Sequence, residues 1–102
     1  MVKVFDGKLY DTETAEELAS SRNGDRFCNR DYTCESLYRT RDGRYFLAGE
    51  GGPETKYARY CGYISWEAGT DIIPITEDDA REWIECNAES KYEEIFGECY
   101  EV

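Results

Sequence analysis

Apolar and polar residues alternate in the first ten positions: Val2 and Val4 flank Lys3, Leu9 follows Lys8, and Asp6-Gly7 lies between the two runs. Alternation puts successive side chains on opposite faces of a strand, and Asp-Gly accepts the positive φ of a tight turn, so the chain is expected to open with a β-hairpin. The pattern then changes period. Ala15, Leu18 and Ala19 recur at helical spacing behind Thr14 and Glu17, a capping-box pair, which predicts a helix of about two turns ending near Asn23-Gly24. Residues 25–32 show no period and read as a loop. Residues 35–40 and 44–48 are two β-like runs joined by Arg41-Asp42-Gly43, the clearest hairpin signal in the chain. Alternation sets Leu37 against Tyr38, and Phe46 against Tyr45 and Leu47. One face of this hairpin is therefore expected to be core, and the other to carry Arg and Tyr side chains.

Gly49, Gly51, Gly52 and Pro53 are read as breaking the second strand, residues 56–60 fit a helical turn, and residues 62–70 read as loop with Trp66 as a packing anchor. Residues 71–75 make a short strand in which Pro74, lacking an N–H, favours a sheet edge or the strand's end. Thr76 is a good N-cap, and Glu77, Asp78 and Asp79 suit the positive end of a helix dipole. The helix expected over 77–89 gathers Ala80, Trp83, Ile84 and Ala88 on one face, with Asp78, Glu82, Glu85 and Glu89 largely elsewhere. Ser90 and Glu93 repeat the capping pattern before a short helix that ends at Gly97, with Tyr92, Ile95 and Phe96 on its apolar side. The expected fold is one α+β domain over residues 1–102. Its small antiparallel sheet is built from the two hairpins plus an edge strand and packed by one main C-terminal helix. The expected core is Leu9, Leu18, Leu37, Phe46, Ile73, Ile75, Trp83, Ile84 and Ile95.

Charge sharpens this outline. The net charge of −11 is uneven: residues 1–63 carry 11 acids and 10 bases, whereas residues 64–102 carry 12 acids and 2 bases. Residues 22–60 hold eight Arg or Lys against six acids, interleaved with Tyr32, Tyr38, Tyr45, Phe46, Tyr57 and Tyr60. A fold that keeps these segments apart is electrically polarised. Nine Tyr, four Phe and two Trp exceed what so small a core hides, so some are expected at a binding surface. No stretch approaches a membrane span and no basic-then-apolar leader opens the chain, so the protein is expected in the cytoplasm, away from the membrane. Cys28, Cys34, Cys61, Cys86 and Cys99 form no CxxC pair and are read as thiols; a Cys28–Cys34 pairing would need that segment to turn back on itself.

The chain has no histidine, which removes His-based nucleophile systems and His-ligated metals. Cys28 beside Arg26 and Arg30 is the single candidate for an activated thiol, with an incidental thiol as the plainer reading. Glu77, Asp78, Asp79 and Glu82 offer oxygen ligands to a divalent ion, as in a carboxylate nuclease or phosphohydrolase; the simpler reading is a dipole-satisfying, solvated turn. The glycine-rich stretch 49–53 lacks the Lys-Ser/Thr of a phosphate loop. No cofactor and no metal is assigned. Two electrostatic surfaces stand as partner-binding candidates. The carboxylates Asp78, Glu82, Glu85 and Glu89 are placed to imitate a phosphate backbone, or simply to keep the domain dissolved. Arg39, Arg41 and Arg44 with Tyr38 and Tyr45 would make a stacking platform for single-stranded RNA.

Several segments together resemble a group of short proteins carried on mobile elements and phages of Firmicutes, some of which are anti-CRISPR proteins directed at type II systems. The likeness rests on residues 5–12, Leu37-Tyr38-Arg39-Thr40 leading to Gly43-Arg44-Tyr45-Phe46-Leu47, and Gly49-Glu50-Gly51-Gly52. It extends to Lys56-Tyr57-Ala58 and to Ile73-Pro74-Ile75-Thr76-Glu77 before a helix bearing Ala80 and Trp83. The resemblance implies an inhibitor that acts by binding. Its partner would be the RNA-guided nuclease effector of a host bacterium, with guide RNA as a further contact, and assembly or target binding would be blocked. It transfers no catalytic residue.

Overall fold

The computed structural model describes residues 1–24, 30–60, 62 and 65–97. In chain order the elements are β1 (Val2–Phe5), β2 (Lys8–Asp11), β3 (Glu16–Asn23), β4 (Thr33–Arg39), β5 (Tyr45–Gly51), β6 (Arg59–Tyr60), β7 (Trp66–Glu67), β8 (Gly69–Ile75), α1 (Glu77–Asn87), a 3₁₀ turn (Glu89–Lys91) and α2 (Tyr92–Phe96). The architecture is α+β, as the pattern predicted. The central sheet is antiparallel with strand order β3-β4-β5-β8, and β1-β2 and β6-β7 form separate two-stranded ribbons. Asp6 and Gly7 turn the first hairpin at φ of 51° and 70°, the left-handed region that a two-residue turn demands.

Alternation along β5 divides the molecule into layers. Tyr45 and Leu47 face the helices and join Leu18, Ala19, Leu37, Ala80, Trp83 and Ile84, with Ile73, Ile75, Tyr92, Ile95 and Phe96 around them. Phe46 and Ala48 face the other way and join Tyr10 and Ile72, flanked by Ala15 and Tyr38. The first hairpin therefore lies on the sheet and is not part of it. Tyr10 meets Phe46 edge-on at 5.6 Å, and Tyr38 stacks on the same ring at 5.1 Å. Both faces of the second hairpin are covered: the face opposite Leu37 carries Tyr38, but it is a second apolar layer built on Phe46, Ala48 and Ile72.

The helix expected behind Thr14 is strand β3 instead. A bulge between Glu17 and Ala19 breaks the alternation, so the adjacent Leu18 and Ala19 both enter the helix-side core while Ala15 packs on the opposite layer. A bulged strand thus imitates a helical stripe in sequence. Thr14 reaches back to the Asp11 carbonyl and does not cap a helix. The exposed edge of β4 offered a ladder of backbone partners, and tertiary pairing overrode local preference.

Strand β5 runs through Gly49 and Gly51 and ends there, so of the expected breakers only Gly52 and Pro53 follow the strand. A Cβ on Gly49 would stand 2.6 Å from the Cys34 carbonyl oxygen, and one on Gly52 would strike the Arg30 carbonyl, so close backbone approach explains the run. Residues 56–60 lead into ribbon β6-β7 and are not a helical turn. Trp66 is exposed against Tyr60 at 5.5 Å and anchors no core. Pro74 occupies edge strand β8, as its missing donor required. Thr76 caps α1 by accepting the Asp79 N–H at 3.1 Å, whereas Ser90 makes no capping bond to α2. No helix of the described residues is long and apolar enough to cross a membrane.

Candidate functional site

Helix α1 lies on the sheet through Ala80, Trp83 and Ile84, so its opposite side must face water. Asp78, Glu82 and Glu85 follow one another at spacings of four and three residues on that side, and Glu89 continues the row just past the helix. Axial steps of about 6 and 4.5 Å separate the first three. All four are exposed, and none forms an ion pair among the described residues. Glu77 is different: it pairs with Arg81 at 3.5 Å. Arg81 also donates to the Tyr92 hydroxyl at 3.0 Å and lies 4.7 Å over the Phe96 ring, so the one cation of α1 is engaged in holding α2.

The basic–aromatic candidates do not form one platform. Arg39 extends to the helix side, donating to the Ile95 carbonyl at 3.4 Å and pairing with Glu16 at 3.3 Å. Arg44 lies on the opposite layer, paired with Asp42 at 3.0 Å, its guanidinium 4.7 Å over the Tyr10 ring. Neighbouring strand positions send their side chains to opposite faces. Tyr45 is buried and packs on Phe96 at 5.8 Å, so its ring is unavailable for stacking. Tyr38 is half-buried on Phe46 and donates to Glu17 at 3.3 Å; burial first, then the Glu17 charge, push its phenol up. Arg41 alone of the five stays exposed at the turn without an ion pair among the described residues.

The carboxylates at Glu77, Asp78, Asp79 and Glu82 do not gather as metal ligands, because the helix spreads them over its first turns. Among the described residues no group of three Asp, Glu or Cys is positioned to hold a metal ion. Cys34 and Cys86 are free thiols, and the Cys28–Cys34 pairing lies outside the described residues through Cys28. Cys28 with its activated-thiol reading, Cys61 and Cys99 lie outside the described residues, as does most of the loop expected at 25–32.

One polar cluster escaped the sequence reading. Glu35 on β4 has a side chain only 11% exposed and pairs with Lys56 at 2.9 Å. Its carboxylate accepts from the Tyr57 hydroxyl at 2.6 Å and from Trp83 Nε1 at 2.8 Å. Burial pushes this carboxyl up, but the bonds from Tyr57, Trp83 and Lys56 together outweigh it and hold the group below its ordinary value. Burial, then the bond to Glu35, push the Tyr57 phenol far up. A Glu inside an alternating strand run was the available signal, since position 35 shares the face of Leu37. Comparison of the chain with family models, curated proteins and solved structures finds no match.

Proposed function

We propose that this protein is an inhibitory binding protein of the anti-CRISPR kind, which sets its acidic helical layer into a basic, nucleic-acid-binding groove of a type II RNA-guided nuclease. The observation that carries the reading is the row Asp78, Glu82, Glu85 and Glu89, exposed and without ion pairs among the described residues, while Arg39, Arg44 and Lys56 are each paired. A row of unscreened carboxylates competes for cations that otherwise contact phosphates, and such competition blocks guide loading or target binding without chemistry. The family resemblance supplies the identity of the partner, and a host bacterial cell is where such a partner resides.

The test incubates purified protein with a type II effector, its guide RNA and target DNA, with the guide RNA run on a denaturing gel from the same tube. Loss of cleavage with intact RNA, weakened at least tenfold by the triple variant Glu82→Lys, Glu85→Lys, Glu89→Lys, is expected. Shortened RNA that chelation protects would replace binding by carboxylate catalysis. Full inhibition by the triple variant would remove the acidic stripe from the mechanism.

A further inference from the structure

The central sheet ends at β3 on one side and at β8 on the other, and the two edges differ. Thr40 N–H donates to the Arg44 carbonyl at 2.8 Å, and Gly52 N–H to the Tyr32 carbonyl at 3.0 Å, so the even-numbered residues of β4 and β5 turn their backbone to one another. The odd-numbered ones turn outward: Leu37 and Glu35 to Ala19 and Ser21 of β3, Leu47 and Gly49 to Ile73 and Asp71 of β8. Ser20 and Arg22 on β3, and Ile72 and Pro74 on β8, therefore aim their backbone groups away from the sheet. At the two β8 positions no donor is left. Pro74 has no N–H and the Ile72 N–H donates to Asp71 Oδ1 at 2.8 Å, while Lys3 Nζ fills the Ile72 carbonyl at 3.0 Å. Such devices keep further strands from an edge. On β3, no bond reaches the outward groups of Ser20 or Arg22 among the described residues, both residues are exposed, and the strand runs regularly from Ala19 to Asn23.

We propose that the β3 edge takes an extended, basic segment of another protein as a fifth strand of the sheet. Ser20 and Arg22 supply two N–H and two C=O groups about 7 Å apart, the repeat at which an added strand presents its own. Charge selects the occupant. The helix layer lies over β3, with Ala19 packed in its core and the Ser21 hydroxyl donating to Asn87 at 3.2 Å. Residues 77–97, which form that layer, carry eight acids and two bases. Lys or Arg side chains of an added strand that rise on the helix side meet this negative field, whereas Arg22 leaves β3 by the other face. The same field sets aside a second copy of the chain: two β3 edges paired antiparallel about a twofold axis place both helix layers on one side of the joined sheet, acid beside acid. Backbone bonds supply the affinity of such an edge, and the side chains that alternate along the added strand supply the preference, here for positive charge.

NMR of the isotope-labelled full chain in reductant tests the proposal, with a synthetic peptide of about nine residues alternating Lys and Thr as the probe and one alternating Glu and Thr as its counterpart. Before peptide is added, the Ser20 and Arg22 amides are expected to exchange with water much faster than those of Ala19 and Ser21. The Lys–Thr peptide is expected to slow exchange at Ser20 and Arg22 at least about tenfold while leaving Ile72 unchanged, and the Glu–Thr peptide to bind at least about tenfold more weakly. Ser20→Pro removes one outward donor and keeps the bonds to β4, a change that edge strands tolerate, and is expected to weaken the Lys–Thr peptide about fivefold or more. Should that variant unfold, the exchange map of the unaltered chain decides alone. Slow exchange at both amides in the free chain, no binding of the Lys–Thr peptide, binding that spares Ser20 and Arg22, or equal binding of the two peptides overturns the proposal. Protection that grows with protein concentration alone assigns the edge to a second copy and overturns it as well. None of these outcomes depends on whether the acidic row inhibits a nuclease.

Discussion

Removal of the Glu35 carboxylate should be costly for so small a change. Its carboxylate ties three parts of the chain together: β4 through its own backbone, α1 through Trp83, and the segment after β5 through Lys56 and Tyr57. Replacement by Ala leaves the indole N–H and the phenol O–H without an acceptor in a buried setting, since Trp83 and Tyr57 are themselves buried. Each orphaned donor costs about 1–3 kcal/mol. Lys56 is nearly half exposed, so its share of the ion pair is reduced by solvent to under about 1 kcal/mol. The expected total is about 3 kcal/mol for Glu35→Ala. For Glu35→Gln, which keeps an acceptor oxygen but not the charge, it is about 1–2 kcal/mol. A domain of this size loses about 4–8 °C in Tm per kcal/mol, so the Ala variant should melt roughly 12–24 °C lower. Urea denaturation followed by tryptophan fluorescence, combined with Tyr57→Phe in a double-mutant cycle, measures both the loss and the coupling. The acid limb gives an independent check. Because the folded carboxyl titrates below its unfolded value of about 4.3, its stabilisation is present above that pH and lost as pH falls through the folded value. Glu35→Gln should flatten that limb. An Ala variant within 1 kcal/mol of wild type, or an unchanged acid limb in the Gln variant, would refute the role assigned to the cluster.

At high pH the sign reverses. Tyr57 is held neutral well above its unfolded value of about 10, so its stabilisation is complete below that pH and lost as pH rises through the folded value; Tyr57→Phe should leave the phenolate absorbance gained between about pH 9 and 11 unchanged. Tyr45→Ala should cost about 3–5 kcal/mol by opening a cavity under Phe96, whereas Arg41→Ala should stay within about 0.5 kcal/mol, a contrast that urea melts resolve. Thr76→Ala removes the bond to the Asp79 N–H and should cost about 1 kcal/mol in the same assay.

The readings that held rest on local physics. A turn dipeptide at Asp6-Gly7, the Arg41-Asp42-Gly43 loop between alternating runs, Pro74 at an edge and Thr76 as a cap each depend on a few neighbouring residues, and their conformations need no distant partner. Leu18, Leu37, Phe46, Trp83 and Ile84 were correctly assigned to the core, and Ile73, Ile75 and Ile95 pack partly buried against it. Leu9 was not: alternation sends Leu9 and Tyr10 to opposite faces, and the neighbours Phe46, Ala48 and Ile72 accepted the ring that Arg44 covers, leaving Leu9 outside. The site shows the same division. Spacing alone put Asp78, Glu82 and Glu85 on the outer side of a helix, but spacing could not reveal that Arg39 and Arg44 sit on different layers or that Tyr45 lies beneath α2.

By itself, then, the sequence determined the α+β class, both hairpin turns, the capped helix and the outward acidic row, because these follow from periods, caps and dihedral preferences carried within a few residues. Tertiary structure decided that residues 16–23 pair as a bulged strand, that the opening hairpin lies over the sheet, and that Glu35 gathers Lys56, Tyr57 and Trp83. Each of those outcomes depends on which partner a strand edge or a half-apolar face meets, and the partners lie some ten to sixty residues away along the chain.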